Sequence, residues 1–490
     1  MIDEYINERI KKLEKLRDLG INPYPQIVLK SKKSSEELIK KYAKIGEKKS
    51  KIAEEFAGRI IGFRSMGNIA FAHLQDEYGR IQAVFQSKET KKYELLKLLD
   101  VGDILIVKGN FFKTKKGEIS ISAKEFTLAS KSIRPLPEKF HGLIDEELKL
   151  RKREVDAIMN PEILEKFRKK SKIVKLIREF LDNNGFLEVQ TPVLQTIYGG
   201  ASAEPFITYH NAQDMKLYLR IAPEIYLKRM ITAGFEKIYE LGNKYRNEGM
   251  DKSHLQEIID LEFYWAYQDY EGLMKFTEKL ISYVLLKSNN SLKLNYQGIT
   301  LDFTPPYKRI TFRELLIEHT GIDIDVFKDY ASLKKEILRK KIKGVDPNGP
   351  KHYGALLDEL YKRTARQKII QPTFMTDYPV EMIPLAKMKE SDSSKISSFQ
   401  LLVNTWEIIK AYNELNNPLD QRKRFIEQQE FMKLGDKEAH LLDEEFLQSL
   451  EYGMPPVAGW GLGLARFCMM IMDEASIRES VFFPLMKPEN

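Results

Sequence analysis

The sequence predicts an α+β protein in which a small five-stranded β-barrel precedes a much larger domain of helices and strands. Three observations lead there. From Phe56 to about Thr127 the chain runs in short alternating segments punctuated by Gly67, Asn68, Gly79, Gly102 and Gly117. One helical stretch, Lys91 to Leu99, falls between the third and fourth of these segments. Beyond Pro135 and Pro137, long helical patterns alternate with strand-like runs, without the regular βαβα order of a parallel sheet.

Taken in order, residues 1–20 place Ile6, Ile10, Leu13 and Leu16 on one helix face, and Gly20 and Asn22-Pro23-Tyr24-Pro25 stop that helix. A second, lysine-rich helical segment is expected from Ser34 to Lys51, closing an N-terminal helical region over 1–52. The barrel domain, 53–132, contains GRIIGFRS, IAFAHLQD, RIQAVFQS, DILIVKGNFFKT and GEISISAKEFTL. Five such strands with a helix between the third and fourth follow the order of an OB-fold. The prolines mark a linker over 133–150, and the large domain fills 151–490. It begins with a helix from Pro161 to Asn183 and a strand at Leu187-Glu188-Val189. A lysine-rich helical insertion is expected at about 311–366.

Composition narrows the class. At 31% charged and 43% hydrophobic, the 490 residues suit a soluble globular protein. There is no apolar run long enough to span a bilayer and no signal-peptide core in MIDEYINERIKKLEKL, so no membrane association is expected. Cys468 stands alone, which excludes an intrachain disulfide and fits a cytoplasmic protein. The seven histidines show no zinc-ligand spacing. A net charge of +8 permits a polyanionic partner, although on charge alone a solvated lysine-rich surface is the simpler account. Alternation puts Phe71 and Gln82 on the second and third strands, where a ring could stack a base and an amide could read its edge. Arg64 and Glu118 add polar capacity nearby, and a place for Phe71 in the barrel core is the competing assignment.

Several segments then share one likeness. SMGNIAFAHLQDEYGRIQ, YGGASAEPFITYHNAQDMKLYLRIAPEIYLKR, YELGNKYRNEG, EFYWAYQDYEGLM, IIQPTFMTDYPVEMIPLAK, AYNELNNPLDQRKRF and GMPPVAGWGLGLARF occur in order from about Asp3 to Pro488. Together they resemble the class II lysyl-tRNA synthetase family. That resemblance implies a catalytic domain built on a mixed, mainly antiparallel sheet flanked by helices, and an OB-fold that binds the anticodon through Arg64, Phe71, Gln82 and Glu118. It implies L-lysine, ATP and tRNA(Lys) as substrates, Mg2+ as cofactor, and a homodimer formed around Gly185 to Pro192. The expected reaction joins lysine to ATP as lysyl-adenylate and passes it to the 3'-terminal adenosine of the tRNA.

Such chemistry needs little proton transfer, so positioning and electrostatics should dominate. Arginine forks suit phosphate and carboxylate. By the resemblance, Arg246 touches the α-phosphate and the substrate carboxylate, Arg466 binds the γ-phosphate, and both count as catalytic. Glu248, His254 and Ile258 belong to the nucleotide site, with Glu407 and Gln400 toward Mg2+. Gly461 and Gly463 would let backbone pass close to the nucleotide. A buried ammonium requires carboxylates, since neutral groups do not replace its lost hydration. Gly200 and Glu224 correspond to contacts with the α-amino group, and Glu262, Tyr264 and Glu414 to the side-chain ammonium. Tyr412 lies along the aliphatic stem, and Lys410 stands near the carboxylate. Read locally, Glu262/Tyr264 and Tyr412/Glu414 are period-two pairs for which ordinary half-buried strands are the simpler account.

The chain departs from the family pattern at four places. Leu255-Gln256-Glu257-Ile258-Ile259 stands where many members carry Asn-Pro-Glu-Phe-Thr, so Ile258 replaces an aromatic. Gln400 replaces a glutamate, Lys410 an asparagine, and Ala465 an acidic residue before Arg466. These leave two alternatives beside the ligase: a non-catalytic tRNA-binding or regulatory paralogue, and a lysine ligase acting on another acceptor.

Overall fold

A computed structural model describes residues 2–29, 32–137, 145–249, 254–436 and 439–488. Residues 138–144 of the expected linker lie outside the described residues. The chain divides into two compact units, Met1–Glu165 and Lys166–Asn490.

In the first unit, α1 (Ile2–Asp18) and α2 (Ser35–Lys41) precede the strands β1 (Ala53–Met66), β2 (Ile69–Gln75), β3 (Arg80–Gln86), β4 (Ile104–Lys113) and β5 (Ile119–Ser130). They close into a barrel in the order β1-β2-β3-β5-β4, which is the OB arrangement. Alternate residues Ala70, Ala72, Leu74, Ile81, Ala83 and Phe85 fill its interior. Two expectations need correction. The second helix ends at Lys41 rather than Lys51, because Tyr42 is pinned to the barrel: its ring stacks on Phe111 at 4.6 Å and its hydroxyl donates to Glu54 at 3.0 Å. The stretch between β3 and β4 is a six-residue 3-10 helix, Tyr93–Leu98, caught between a left-handed Lys92 and an extended Leu99. Two short helices, α3 (Glu146–Arg151) and α4 (Arg153–Met159), end this unit, and Gln75 Nε2 donates to the Ile158 carbonyl at 3.0 Å.

After α5 (Glu162–Asn183) come β6 (Leu187–Glu188), β7 (Leu194–Gln195), β8 (Ile207–His210), β9 (Met215–Leu219), α6 (Glu224–Thr232), β10 (Lys237–Tyr245) and β11 (Glu257–Ala266). Then follow α7 (Tyr270–Asn289), β12 (Lys293–Tyr296), β13 (Ile299–Asp302), β14 (Lys308–Thr311), α8 (Phe312–Thr320), α9 (Tyr330–Lys340) and α10 (Tyr353–Arg363). The chain closes with β15 (Thr373–Thr376), β16 (Ser398–Val403), β17 (Trp406–Asn413), α11 (Pro418–Lys433), α12 (Glu444–Glu451), β18 (Val457–Leu462) and α13 (Leu464–Ile471).

The principal sheet runs β14-β15-β16-β17-β18-β11-β10-β6, antiparallel except for its two outer pairs, β14 with β15 and β10 with β6. One face of its central strands presents Leu261, Phe263, Leu401, Ile409, Ala411, Trp460 and Leu462 to a core shared with α7 and α13. Phe263 stacks on Trp460 at 4.6 Å, and Trp460 Nε1 donates to the Thr277 hydroxyl of α7 at 2.8 Å. The residues between these point to the opposite face, because side chains alternate along a strand.

Candidate active site

Strand register builds the site. Tyr412 of β17, Gly459 of β18 and Tyr264 of β11 stand in one row across the sheet. Lys410, Gly461, Glu262 and Glu240 of β10 form the next row. Both β18 positions are glycine, so the row dips between flanking side chains and leaves a slot one strand wide. A Cβ on Gly459 would sit 2.0 Å from Glu414 Oε1 and 2.7 Å from Tyr264 Cε1. Glu414 and Tyr264 can therefore close over Gly459 only because it carries no side chain, whereas a Cβ on Gly461 would meet nothing nearer than 3.6 Å.

The closed end of the slot is acidic. Glu224 opens α6 and Glu414 follows β17; both are buried, at 4% and 1% exposure. Tyr412 Oη donates to both Glu224 oxygens, at 2.8 and 2.9 Å. Lys228, fully buried one turn along α6, reaches Glu224 Oε1 at 2.6 Å and pairs with Glu414 Oε2. Glu414 Oε1 is buried and accepts no hydrogen bond among the described residues. Gly200 has φ +84, and a Cβ there would approach Glu224 Cβ to 2.8 Å, so its backbone forms the wall beside Glu224. Burial drives the Glu414 carboxyl well above its usual range against the pull of Lys228. Burial also lifts Glu262, with Glu224 and Asp260 adding to the rise and Lys244 opposing it, to about 8. The Tyr264 and Tyr412 hydroxyls are raised by burial and by the same carboxylates. An acceptor-rich pocket with an unused buried oxygen is made for a cation.

The other end is basic. Arg246 directly follows β10, where its backbone amide bonds the Gln256 carbonyl at 2.9 Å, and its buried Nε has no acceptor among the described residues. Lys244, two residues earlier, is buried against Asp260. Arg466, in α13, lies 5.6 Å over the Trp406 ring and donates to the Glu407 carbonyl at 3.1 Å. Burial pulls its guanidinium below the usual value while Glu407 holds it up. Arg366, at the end of the expected insertion, donates to the Thr405 carbonyl at 2.8 Å and acts electrostatically on Arg466. Ala465 is buried in the core and offers Arg466 no polar partner. Ile258 shares the slot face of β11 with Glu262 and is half-buried, while Glu248 is half-buried and His254 exposed. On the slot face of β16, Gln400 pairs with Lys410, and its amide oxygen accepts from Tyr361 Oη at 3.4 Å. A β-bulge after Leu401 brings Glu407 opposite Leu402, onto the face carrying Gln400 and Lys410. Among the described residues no three His, Cys, Asp or Glu gather as a metal cluster. One carboxylate and one amide suit a Mg2+ ion that arrives with phosphate oxygens of its own.

The structure thus brings Gly200, Glu224, Glu262, Tyr264, Lys410, Tyr412 and Glu414 to one slot. Lys228, Gly459, Lys244 with Asp260, and Arg366 were not singled out from the sequence. The spacing of Glu224 and Lys228, one helical turn apart, was the available signal for the first of these.

On the barrel, Arg64 pairs with Phe71 across β1 and β2, and Phe71 pairs with Val84 of β3. Phe71 is half-exposed on the outer wall and is not part of the core cluster. Gln82 Nε2 donates to Glu118 at 2.9 Å, and Gln82 Oε1 accepts from the Ser120 hydroxyl at 3.2 Å. The four residues expected on this wall therefore form one polar surface with a ring in it.

Comparison with known proteins identifies both domains. The family described as tRNA synthetases class II (D, K and N) matches residues 145–487, and the OB-fold nucleic acid binding domain matches residues 55–129. A lysine–tRNA ligase of Pelotomaculum thermopropionicum is 44% identical over 99% of this chain and 96% of its own length. One from Thermoanaerobacter sp. is 45% identical over 100% and 97%, and one from Thermotoga maritima 42% identical over 100% and 97%.

Proposed function

We propose, for a chain that belongs to the class II tRNA synthetases and within them to the lysine–tRNA ligases, that it activates L-lysine with ATP and transfers it to tRNA(Lys). The observation that carries this reading is the buried Glu414 Oε1, which accepts no hydrogen bond among the described residues, at the end of a slot floored by Gly459. In our reading the lysine side chain lies over the two glycines between Tyr412 and Tyr264, with its ammonium against Glu414 and Glu262. Its α-amino group faces Glu224 beside Gly200, and its carboxylate points to Arg246, whose Nε has no acceptor among the described residues. Attack of that carboxylate on the α-phosphate breaks the α–β phosphoanhydride bond and releases pyrophosphate; Arg246 offsets the charge that builds on phosphorus while Arg466 holds the departing β- and γ-phosphates. Glu407, supported by Gln400, would hold Mg2+, which supplies charge neutralisation to the phosphates when bound. Ile258 covers the base by apolar contact, and Lys410 pairs with the substrate carboxylate.

We assign the anticodon to the outer wall formed by Arg64, Phe71, Gln82 and Glu118, where ring stacking and side-chain hydrogen bonds can read unstacked bases. A homodimer fits the apolar exposure of Leu187, Val193, Leu194, Ile207 and Tyr209 around the first class signature. No described helix is long and apolar enough to cross a membrane.

The test is ATP–pyrophosphate exchange with each of the twenty amino acids, with Mg2+ and without tRNA, followed by charging of tRNA. Exchange with lysine alone, lost in Arg246→Ala, is the expected result. Exchange with another amino acid would mean that the slot is misread, and none at all would favour a tRNA-binding paralogue.

A further inference from the structure

Lys228 is a charged group at the acidic end of the slot that the reaction as described does not use. It is fully buried, bonded to Glu224 and Glu414 at once, and 5.8 Å from the ring centres of both Tyr412 and Phe446. The titratable and charged groups that face it are Glu224 from its own helix, Glu414 and Tyr412 from β17 and its extension, and His440 from the loop before α12, while Glu262 and Tyr264 of β11 act on Glu414 beside it. Burial holds the His440 imidazole well below its usual value, at about 4, so it adds no charge at neutral pH.

At the acidic end of the slot Glu224, Glu262 and Glu414 are three carboxylates when ionised, and Lys228 offsets one; Lys244 is taken by Asp260, and Lys410 and Arg246 are left for the substrate carboxylate. Two carboxylates remain, and lysine carries two ammonium groups. An amino acid with a neutral side chain would leave one buried carboxylate uncompensated, which costs heavily in a desolvated site. The pairing also has direction. Lys228 occupies Glu414 Oε2 and so leaves Oε1 for a ligand, and it shares Glu224 with the Tyr412 hydroxyl, so neither carboxylate is free to rotate away.

We propose that Lys228 is a positioning and specificity-determining residue: a resident cation that fixes Glu224 and Glu414 and sets the slot to demand two further positive charges from its substrate. The inference rests on the reading of the slot as the lysine site. In a purely structural role, Lys228 would anchor α6 and affect stability alone.

The experiment compares the full-length parent with Lys228→Met, which keeps the stem without the charge, and Lys228→Gln, which keeps a hydrogen-bond donor. Lysine-dependent ATP–pyrophosphate exchange is followed from pH 6.5 to 9. In both variants we expect the KM for lysine to rise at least 30-fold at pH 7, with kcat within fivefold and the KM for ATP unchanged. The KM should then fall steeply as pH rises, because without the cation the buried Glu414 holds a proton that must leave before an ammonium can bind. A lysine KM within threefold of the parent in either folded variant overturns the inference. So does a raised KM with the parent's pH profile, or failure of both variants to fold, each of which makes Lys228 a structural cation. A parent without lysine-dependent exchange overturns the underlying reading as well, which separates the two failures.

Discussion

Adding one methyl group at Gly459 should disable lysine binding while leaving the nucleotide site intact. The new Cβ would stand 2.0 Å from Glu414 Oε1 and 2.7 Å from Tyr264 Cε1, where ordinary contact begins near 3.4 Å. The carboxylate would have to retreat by about 1.4 Å. That retreat is not free, since Glu414 is buried and its other oxygen is tied to Lys228. Moving one charge of an ion pair from about 3 to about 4.4 Å, at an effective dielectric of about 20, forfeits roughly 2 kcal/mol. Losing the charge-assisted hydrogen bond costs about 1.5–3 kcal/mol, and the two losses overlap. Together they amount to about 2–4 kcal/mol, or roughly a 30- to 1,000-fold higher KM for lysine. Steady-state ATP–pyrophosphate exchange measures this directly, with the KM for ATP as internal control. A Gly459→Ala enzyme with a lysine KM within threefold of the parent would refute the trench as the seat of the side chain.

Four further outcomes are expected. Glu262 titrates near 8 in the free slot, so lysine binding at pH 7 should release a proton, seen calorimetrically in buffers of different ionisation enthalpy; affinity should rise through pH 8, and Glu262→Gln should flatten both effects. Because that folded pKa lies above the unfolded value, ionisation of Glu262 opposes folding increasingly from about pH 4.5 to 8, and Glu262→Gln should melt higher than the parent at pH 8.5. Phe71→Ala should raise the KM for tRNA in charging by roughly 5- to 150-fold, from about 1–3 kcal/mol of lost stacking, while exchange stays unchanged; an equal fall in exchange would return Phe71 to a structural role. Thr277→Val strips the buried Trp460 Nε1–H of its acceptor and should cost about 1–3 kcal/mol in denaturant unfolding, and a neutral result would show that the indole finds another partner.

Much of the fold was legible because the barrel strands alternate with period two and end on glycines. Where reading failed, a distant contact had intervened. Tyr42 stacks on Phe111, far along the chain, and stops α2 while the local sequence is still helix-forming. The slot was legible only in part. Glu224, Glu262, Tyr264, Tyr412 and Glu414 came from motif resemblance, since local pattern could not separate them from sheet residues. Gly459 was invisible because its importance lies in facing Tyr412 on one side and Tyr264 on the other, a register among three strands separated by many residues. Lys228 was hidden for a related reason. A lysine in a lysine-rich chain reads as solvent-facing until Glu414, from a remote strand, is seen beside it.

The glycine floor also bears on entropy. Its width is two inter-strand spacings, about 9.6 Å, held by backbone hydrogen bonds rather than by side chains that must choose a rotamer. A recess cut from the sheet itself has no rotamers of its own to freeze when a ligand enters. Most of the ordering cost of binding then falls on the flexible stem of the guest, and little on the host.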